Sequence, residues 1–232
     1  MSRFKVITHV HTKFSHDSIL PFFLLYRKCI AVTEHNNLTG AQKFQEYCRQ
    51  HGDKLKVIPG EEIMTQGGEL IGLYIHENIP PMLTPEETVA EIKKQGGIVY
   101  VPHPYDEKRY KTVLQEKYIS KLRDKIDCIE CHNGRNISSE FDVKQNAEKY
   151  RLKKVIGADA HTCFEIGRNY METEVPLDSA EDFLEALNTI KMYPAPCLTY
   201  CHQITRAARV VQYLKKGDIH GLLRTVAKKL AH

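Results

Sequence analysis

Residues 84–104 read TPEETVAEIKKQGGIVYVPHP and contain the signals of a helix, a turn and a strand in succession. Thr84 is a typical N-cap residue, Pro85 suits the first helical position, and Glu87 completes a capping box. Two glycines then end the helix, and the apolar, β-branched run after them is typical of a strand buried on both faces. This strand ends directly before His103. The stretch therefore predicts one unit of a parallel α/β fold, with a polar side chain at the strand end.

The same alternation of strand-like and helix-like segments continues along the chain, which favours a parallel α/β architecture. The strand-like runs are Phe4–Thr8, Cys29–Thr33, Leu55–Pro59, Leu70–Ile75, Gly97–Val101, Ile126–Cys131 and Lys154–Ala158. The predicted helices among them are Thr39–His51, Thr84–Gln95, Glu140–Tyr150 and Ser179–Met192. Gly67-Gly68 interrupts the alternation and predicts a hairpin or a tight turn.

The pattern changes near the C-terminus. His202–Leu214 and Ile219–Leu230 are amphipathic and predict two helices that form a C-terminal cap. The chain length suits one α/β barrel. We therefore expect a single domain over residues 1–232, with a catalytic barrel in 1–195 and a helical extension in 196–232.

The composition bounds the class of partner. Lys and Arg number 33 against 29 Asp and Glu, and hydrophobic residues make up 42% of the 232 residues. A net charge of +4 does not demand a nucleic acid or an anionic membrane as partner. No apolar run approaches the length of a membrane span. Seven cysteines without a secretory leader indicate a reducing, cytoplasmic compartment.

Histidines and carboxylates stand at or just after the ends of the strand-like runs. They are His9, His11, Asp17, His35, Glu62, His103, Asp159 and His161. The carboxyl ends of parallel strands in a barrel meet at one mouth, and these residue types hold catalytic divalent metals. His9 and His11 point to the same side of an extended segment, and prolines on both sides of His103 restrict its backbone. The pattern predicts a multinuclear metal site built for hydrolysis.

The segments that carry these residues resemble the PHP family, the polymerase and histidinol phosphatase superfamily. The matching motifs are His9-x-His11 with Asp17, Thr33-Glu34-His35, Gly60-Glu61-Glu62, Pro102-His103-Pro104 and Gly157-Ala158-Asp159-Ala160-His161. The resemblance covers roughly residues 4–170. It implies a distorted, TIM-like barrel of seven strands and helices, with two or three divalent metals at the carboxyl ends of the strands. It also implies hydrolysis of phosphomonoesters or phosphodiesters.

Carried over position by position, the resemblance assigns ligands to three metals. His9, His11, Glu62 and Asp159 would hold one, Glu62 would bridge to a second that His103 also holds, and Asp17, His35 and His161 would hold the third. Many members have histidine where this chain has Glu69. The resemblance leaves three alternatives: Glu69 binds the metal in place of that histidine, the second metal is bound more weakly, or His76 supplies the ligand. Glu34 stands where the family usually has Asp, outside the ligand set. Histidine-rich sites suit zinc, manganese or iron.

The sequence leaves the proton donor open. In the predicted mechanism a metal-activated hydroxide attacks phosphorus, and the leaving alkoxide takes a proton from a metal-bound water, from Asp17 or from His161. Arg135 and Arg168 are the candidates for binding the substrate phosphate, because a guanidinium can donate to two phosphate oxygens.

The resulting hypothesis is a metal-dependent phosphoesterase acting on a small phosphorylated metabolite, such as a nucleotide, a sugar phosphate or a histidinol-phosphate type compound. The alternatives are a phosphodiesterase or nuclease on nucleic acid, a metal-dependent amidohydrolase, and a non-catalytic binding module. The short chain, Pro-His-Pro and Asp-Ala-His favour the phosphoesterase over the amidohydrolase. The filled ligand positions argue against a non-catalytic module.

Overall fold

All seven predicted strand-like runs overlap strands of the structure, a computed structural model that describes residues 4–25, 29–52, 55–135, 145 and 147–219. The strands are β1 (Phe4–Val10), β2 (Cys29–His35), β3 (Val57–Thr65), β4 (Gly68–Leu73), β5 (Ile98–Val101), β6 (Cys128–Asn133), β7 (Lys153–Gly157), β8 (Tyr170–Thr173) and β9 (Lys191–Tyr193). The helices are α1 (Thr39–Gln50), α2 (Pro85–Lys94), α3 (Glu116–Leu122), α4 (Ala180–Ala186) and α5 (Thr199–Lys216). Short 3-10 turns lie at Phe22–Leu24 and Glu107–Arg109.

Strands β1 to β7 follow one another around a nearly closed barrel. The pairs β1–β2, β2–β3, β5–β6 and β6–β7 are parallel, whereas β4 is antiparallel to both of its neighbours. The residues directly after β7 close the barrel on β1, because Ala158 N donates to Thr8 O and His11 N donates to Ala160 O, each at 2.9 Å. The predicted α/β barrel is confirmed, and the carboxyl ends of its parallel strands lie on one side.

Two strands outside the barrel do not follow from the sequence pattern. Strand β8 pairs with the first half of β1, and β9 pairs with β8, both antiparallel. The helix predicted over Ser179–Met192 is therefore wrong at its C-terminal end. Helix α4 ends at Ala186 because Asn188 and Thr189, which are poor helix formers, lie in a turn that leads the chain into β9.

The hairpin between β3 and β4 turns the chain back at the mouth of the barrel, as Gly67-Gly68 predicts. Thr65 pairs with Gly68, whose φ of +122° favours glycine. A Cβ at Gly68 would also clash with the backbone of Leu114. Because β4 starts where the parallel strands end, its second residue, Glu69, lies beside the mouth.

Two buried apolar clusters pack the helices against the sheet. The larger cluster joins the sheet to α2, α3 and α4, and the smaller one joins β1 and β2 to α1. In the smaller cluster Phe44 stacks on Phe22, with ring centroids 4.8 Å apart. The predicted capping box of α2 is present, with Glu87 N donating to Thr84 Oγ1 at 3.2 Å and Thr84 N donating to Glu87 Oε2 at 2.9 Å. These contacts hold the strand ends in fixed positions.

The C-terminal helix α5 contains the predicted helix His202–Leu214. The second predicted helix, Ile219–Leu230, lies outside the described residues except for Ile219. The predicted helix Glu140–Tyr150 is described only at residues 145 and 147–150, which are helical. Among the described residues, no helix is both long and apolar enough to cross a membrane.

Candidate metal centre

The predicted ligand residues meet at the mouth of the barrel. His9, His35, Glu62 and Glu69 lie in β1, β2, β3 and β4, and His11, Asp17, His103, Asp159 and His161 lie in the segments that follow β1, β5 and β7. The register of the parallel strands places His35 directly beside Glu62. His9, His103 and Asp159 have positive φ angles of 58°, 30° and 50°. Such angles are uncommon for residues other than glycine and cluster at functional sites.

Glu62 lies at the centre of the cluster, because its two carboxylate oxygens face four imidazoles. Oε1 lies 3.0 Å from His103 Nε2 and 3.3 Å from His9 Nε2. Oε2 lies 3.0 Å from His35 Nδ1 and 3.3 Å from His11 Nε2. One carboxylate therefore serves two neighbouring groups of ligand atoms, an arrangement that can bridge two ions.

Two aspartates complete these groups from the loops. Asp159 Oδ1 lies 3.8 Å from both His9 Nε2 and His11 Nε2. Asp17 Oδ1 lies 3.3 Å from His161 Nε2. The structure thus brings together residues from both ends of the predicted barrel sequence.

The position where many family members have histidine is filled by Glu69. Its Oε2 lies 3.3 Å from His103 Nε2. His76, in contrast, is exposed, and its backbone N–H donates to Gln95. Strand β4 begins at the mouth and runs away from it, which carries His76 to the far side. Of the alternatives at this position, the geometry favours Glu69 as the substitute ligand.

Several ligand atoms of the cluster have no hydrogen-bond partner among the described residues. They are the buried atoms His9 Nε2, His11 Nε2, Asp17 Oδ1 and Glu62 Oε2. Leaving a buried polar atom unpaired costs free energy. Ligand atoms that surround one ion at about 2.1 Å lie roughly 3 to 3.5 Å apart, which is close to the separations given above. The residues present therefore fit divalent metals.

Triads of the cluster offer ligand atoms close enough together for one ion. Within 4.8 Å of one another lie the ligand atoms of His9–His11–Asp159, of His9–Glu62–His103, of His11–His35–His161 and of His35–Glu62–Glu69. These groups share members, as expected if two or three ions lie side by side.

Neighbouring charges set the protonation of the cluster. Burial raises the pKa of Glu62, but His9 and His35 outweigh it and hold this pKa well below its ordinary value. Burial, together with the nearby His161 and His35, lowers the pKa of His11 well below its ordinary value. At neutral pH the central carboxylate is charged and His11 is neutral. Burial lowers the pKa values of His9 and His35, but the nearby carboxylates outweigh it and hold these values well above the ordinary one, so a metal that binds these two rings must displace their protons.

A buried carboxylate outside the predicted set positions two of the histidines. Glu130, in β6, accepts hydrogen bonds from His9 Nδ1 at 2.7 Å, from His103 N at 2.6 Å and from Asn133 Nδ2 at 2.8 Å. It also accepts one from the Tyr100 hydroxyl. The bond from Nδ1 fixes the ring orientation of His9, as carboxylate partners of metal-binding histidines do, whereas the bond from His103 N holds the backbone of that residue. A glutamate within an apolar strand is the sequence signal that could have found it, since buried glutamates are almost always paired.

Glu34, which stands where the family usually has Asp, has a structural role beside the cluster. Both carboxylate oxygens of Glu34 accept from Thr12 N at 3.0 Å. Burial raises the pKa of this carboxyl group to about 7. Glu34 therefore anchors the loop after β1, which carries Asp17, and stands outside the ligand set as the sequence predicts.

The two arginines predicted to bind phosphate are already engaged with protein groups. Arg135 donates from Nε and Nη2 to the two oxygens of Glu165 at 2.6 and 2.9 Å, and from Nη2 to Thr205 at 2.8 Å. Arg168 is exposed, and its Nε donates to Pro196 O at 3.3 Å. Substrate binding by these two residues stays a prediction.

Two other arginines reach the cluster directly. Arg109, in the 3-10 turn after β5, has Nη2 at 2.5 Å from Asp159 Oδ2. Arg209, in α5, has Nη2 at 3.1 Å from Asp17 Oδ2. Neither follows a strand end directly, so the pattern that predicts the ligands does not find them.

Comparisons with known proteins agree with the fold and with the resemblance to the PHP family. Residues 141–189 match the model of a family described as PHP-associated. An uncharacterized protein of Methanocaldococcus jannaschii is 35% identical over 205 residues, which cover 81% of this chain and 79% of that protein. The chain belongs to the PHP superfamily.

Two solved structures share the fold of this PHP protein. A two-domain protein from Bacteroides vulgatus, described as containing a predicted PHP-like metal-dependent phosphoesterase, has a TM-score of 0.67 at 20% identity over 84% of this chain. The match spans only 65% of that protein's length. The lesion-specific endonuclease PfuEndoQ from Pyrococcus furiosus has a TM-score of 0.59 at 16% identity, over 82% of this chain and 58% of its own. These likenesses concern the fold, so the function must be argued from the site.

Proposed function

We propose that this PHP protein is a metal-dependent phosphoesterase that hydrolyses a small phosphorylated metabolite. The observation that carries the proposal is the cluster around Glu62, in which buried imidazoles and carboxylates converge and several ligand atoms lack a protein partner among the described residues. Two guanidinium groups, of Arg109 and Arg209, add the positive charge that a phosphate needs. Nucleotides, sugar phosphates and compounds of the histidinol-phosphate type are the substrate classes to test.

Zinc, manganese or iron ions held by this cluster would lower the pKa of a bound water and neutralise charge on the phosphate. The ligand sets would be His9, His11, Glu62 and Asp159; Glu62, Glu69 and His103; and Asp17, His35 and His161. Within these sets Glu130 orients the ring of His9 and holds the backbone of His103 through its hydrogen bonds.

Asp17 and His161 are placed to hold the proton that the leaving alkoxide takes. His161 Nδ1 donates to the carbonyl oxygen of Asp159 at 2.9 Å, which directs Nε2 towards Asp17 Oδ1 at 3.3 Å. An imidazole held in this way can carry a proton at Nε2 only when that nitrogen does not bind an ion, so the two proposed roles of His161 are alternatives. Because both side chains are also proposed ligands, their variants need a measurement of metal content beside one of turnover.

The depth of the site favours a small substrate over a polymer. The side chains of His9, His11 and His103 are fully buried. Helix α5 also contacts the loop that carries Asp17, with Gln212 Nε2 at 3.5 Å from Ser15 O. A terminal phosphate on a small molecule enters such a mouth more easily than an ester within a duplex. The fold shared with PfuEndoQ makes a phosphodiesterase or nuclease the second candidate.

These contacts also support a single domain over residues 1–232. Although α5 belongs to the proposed extension, 196–232, Thr205 accepts a hydrogen bond from Arg135 of the proposed barrel, 1–195. The extension would then be part of the site.

The test is phosphate release from a panel of phosphomonoesters with manganese or zinc, run beside a simple phosphodiester and a DNA duplex with an abasic site. We expect metal-dependent release from one group of monoesters, which a chelator stops and added metal restores. His9→Ala should abolish it while the protein stays folded. His51→Ala, at an exposed histidine beyond α1, is the matched control and should retain it. Release that survives His9→Ala, or cleavage confined to DNA, would contradict the proposal.

A further inference from the structure

A phosphoesterase needs cationic donors that bind the phosphate of its substrate, and four arginines lie near this mouth. Arg135 is buried, and its Nε and Nη2 already donate to Glu165. Arg168 is exposed and donates to a backbone carbonyl. Arg109 and Arg209 instead contact carboxylates of the candidate metal centre. Of these four arginines, Arg109 and Arg209 are therefore the two that contact candidate ligands directly.

Each of the two aspartates presents one oxygen to histidine and the other to arginine. Asp17 Oδ1 lies 3.3 Å from His161 Nε2, and its Oδ2 lies 3.1 Å from Arg209 Nη2. Asp159 Oδ1 lies 3.5 Å from His161 Nδ1, and its Oδ2 lies 2.5 Å from Arg109 Nη2. Both guanidinium groups are thus one carboxylate away from the ligand atoms.

Arg209 has an N–H donor that is not used by the described protein groups around it. Its Nε is buried and has no hydrogen-bond partner among the described residues. Its side chain is nevertheless 34% exposed, so part of it is open to solvent beside the carboxylate of Asp17. Because an unpaired buried N–H costs free energy, an anion that accepts from Nε would remove that cost. Arg135 shows the opposite state, with both its Nε and Nη2 satisfied by Glu165.

Helix α5 holds Arg209 in place from both sides. Thr205, Arg209 and Gln212 lie on one face of the helix, at spacings of four and three residues. Thr205 accepts a hydrogen bond from Arg135 at 2.8 Å, and Gln212 Nε2 lies 3.5 Å from Ser15 O. These contacts anchor the helix one turn before and one turn after Arg209. The guanidinium is therefore positioned before any substrate binds, which reduces the entropy cost of binding.

We propose that Arg209 binds the substrate phosphate, donating from Nε and an Nη group to its non-bridging oxygens. The inference rests on the proposed function and specifies the anion-binding part of the same site. It makes α5, which lies outside the residues matched by the family motifs, a wall of the active site. Inorganic phosphate, the product of the reaction, should bind to the same donors.

The test is calorimetric titration of inorganic phosphate into manganese-loaded protein. Arg209→Gln should weaken phosphate binding on the order of 10- to 100-fold, because a hydrogen-bonded charge is lost. Arg209→Lys should weaken it less, since the charge remains but the planar fork is lost. Arg206→Gln, at an exposed arginine of the same helix, is the matched control and should bind phosphate like the wild type. Metal content and thermal unfolding are measured on every variant.

The outcomes separate this inference from the proposed function. Wild-type protein that binds no phosphate, or Arg209→Gln protein that binds it as tightly as the control, overturns the inference even if esters are hydrolysed. Phosphate binding that depends on Arg209, without hydrolysis of any ester, supports the inference and overturns the proposed function. With an active substrate, Arg209→Gln should raise KM more than it lowers kcat. If Arg209→Gln loses its metal or fold, a weakened Arg209→Lys supports the inference and an unchanged one overturns it.

Discussion

The replacement Glu130→Gln tests how far the candidate centre depends on a residue that contacts no ion itself. Glu130 is fully buried and accepts four hydrogen bonds, with Oε1 taking those of His9 and Tyr100 and Oε2 those of His103 and Asn133. Glutamine keeps one accepting oxygen and replaces the other by an amino group that donates. Whichever way the amide turns, two of the four donors then face a donor.

The magnitude follows from those two lost bonds. A buried donor left unsatisfied costs about 1 to 3 kcal/mol, so the two donors together should lower the free energy of unfolding of Glu130→Gln by about 2 to 6 kcal/mol. For a chain of this length this corresponds to a melting temperature lower by roughly 5 to 15 °C. If the amino group faces His9 Nδ1, the bond that orients this ligand ring is lost, and metal affinity should fall about 10- to 100-fold. If it faces the former partners of Oε2, His103 loses the bond that holds its backbone instead.

The assays are thermal unfolding of the metal-free protein and metal titration against a competing chelator. Glu46→Gln, at an exposed glutamate of α1, is the matched control and should change neither quantity. A Glu130→Gln protein with wild-type unfolding and wild-type metal affinity would refute the positioning role.

Three further predictions follow from the same contacts. Burial and the guanidinium of Arg109 lower the pKa of His103, but its hydrogen bonds to Glu62 and Glu69 outweigh them and raise this pKa to about 9. The imidazole of His103 is therefore protonated at neutral pH in the folded, metal-free protein. The stability that the protonated imidazole adds to the metal-free protein is lost as the pH rises through about 9. The metal affinity measured by calorimetry should increase over the same pH range, because the proton no longer competes with the metal. A metal affinity that does not depend on pH would contradict this prediction. Gly157→Ala should destabilise the protein by about 1 to 3 kcal/mol in denaturant unfolding, because its Cβ would overlap Glu130 Oε1; an unchanged midpoint would show that this contact relaxes freely. Arg168→Gln should raise KM with little change in kcat, and unchanged steady-state kinetics would remove Arg168 from the substrate pocket.

The sequence predicts elements whose signals are local and repeated. The unit over residues 84–104 is an example, because its capping box, its glycine pair and its apolar strand each act within a few residues. The end of α4 at Ala186 was missed, because β9 forms only by pairing with β8, an interaction between distant segments. Strand β8 was missed for the same reason, since its four residues find their partner in β1.

The meeting of the candidate ligands at one mouth could be predicted because most of them lie at or near strand ends, and a parallel barrel brings strand ends together whatever the detailed packing. The residues around them were not predictable in this way. Glu130 lies inside a strand, and Arg109 and Arg209 reach the cluster from a turn and a helix. Their distances to the cluster depend on how several segments pack.

The sequence by itself determined the class of fold, the order of the seven barrel strands, and a set of side chains that could hold metals, but not helix α3. These follow from hydrophobic periodicity, capping and residue type, which are properties of short stretches of chain. Only the tertiary structure placed Glu69 beside His103 and His76 far from it, paired Arg135 with Glu165, and brought Arg209 to Asp17. Those outcomes depend on the direction of β4 and on the docking of α5, and both arise from contacts between segments far apart in the chain.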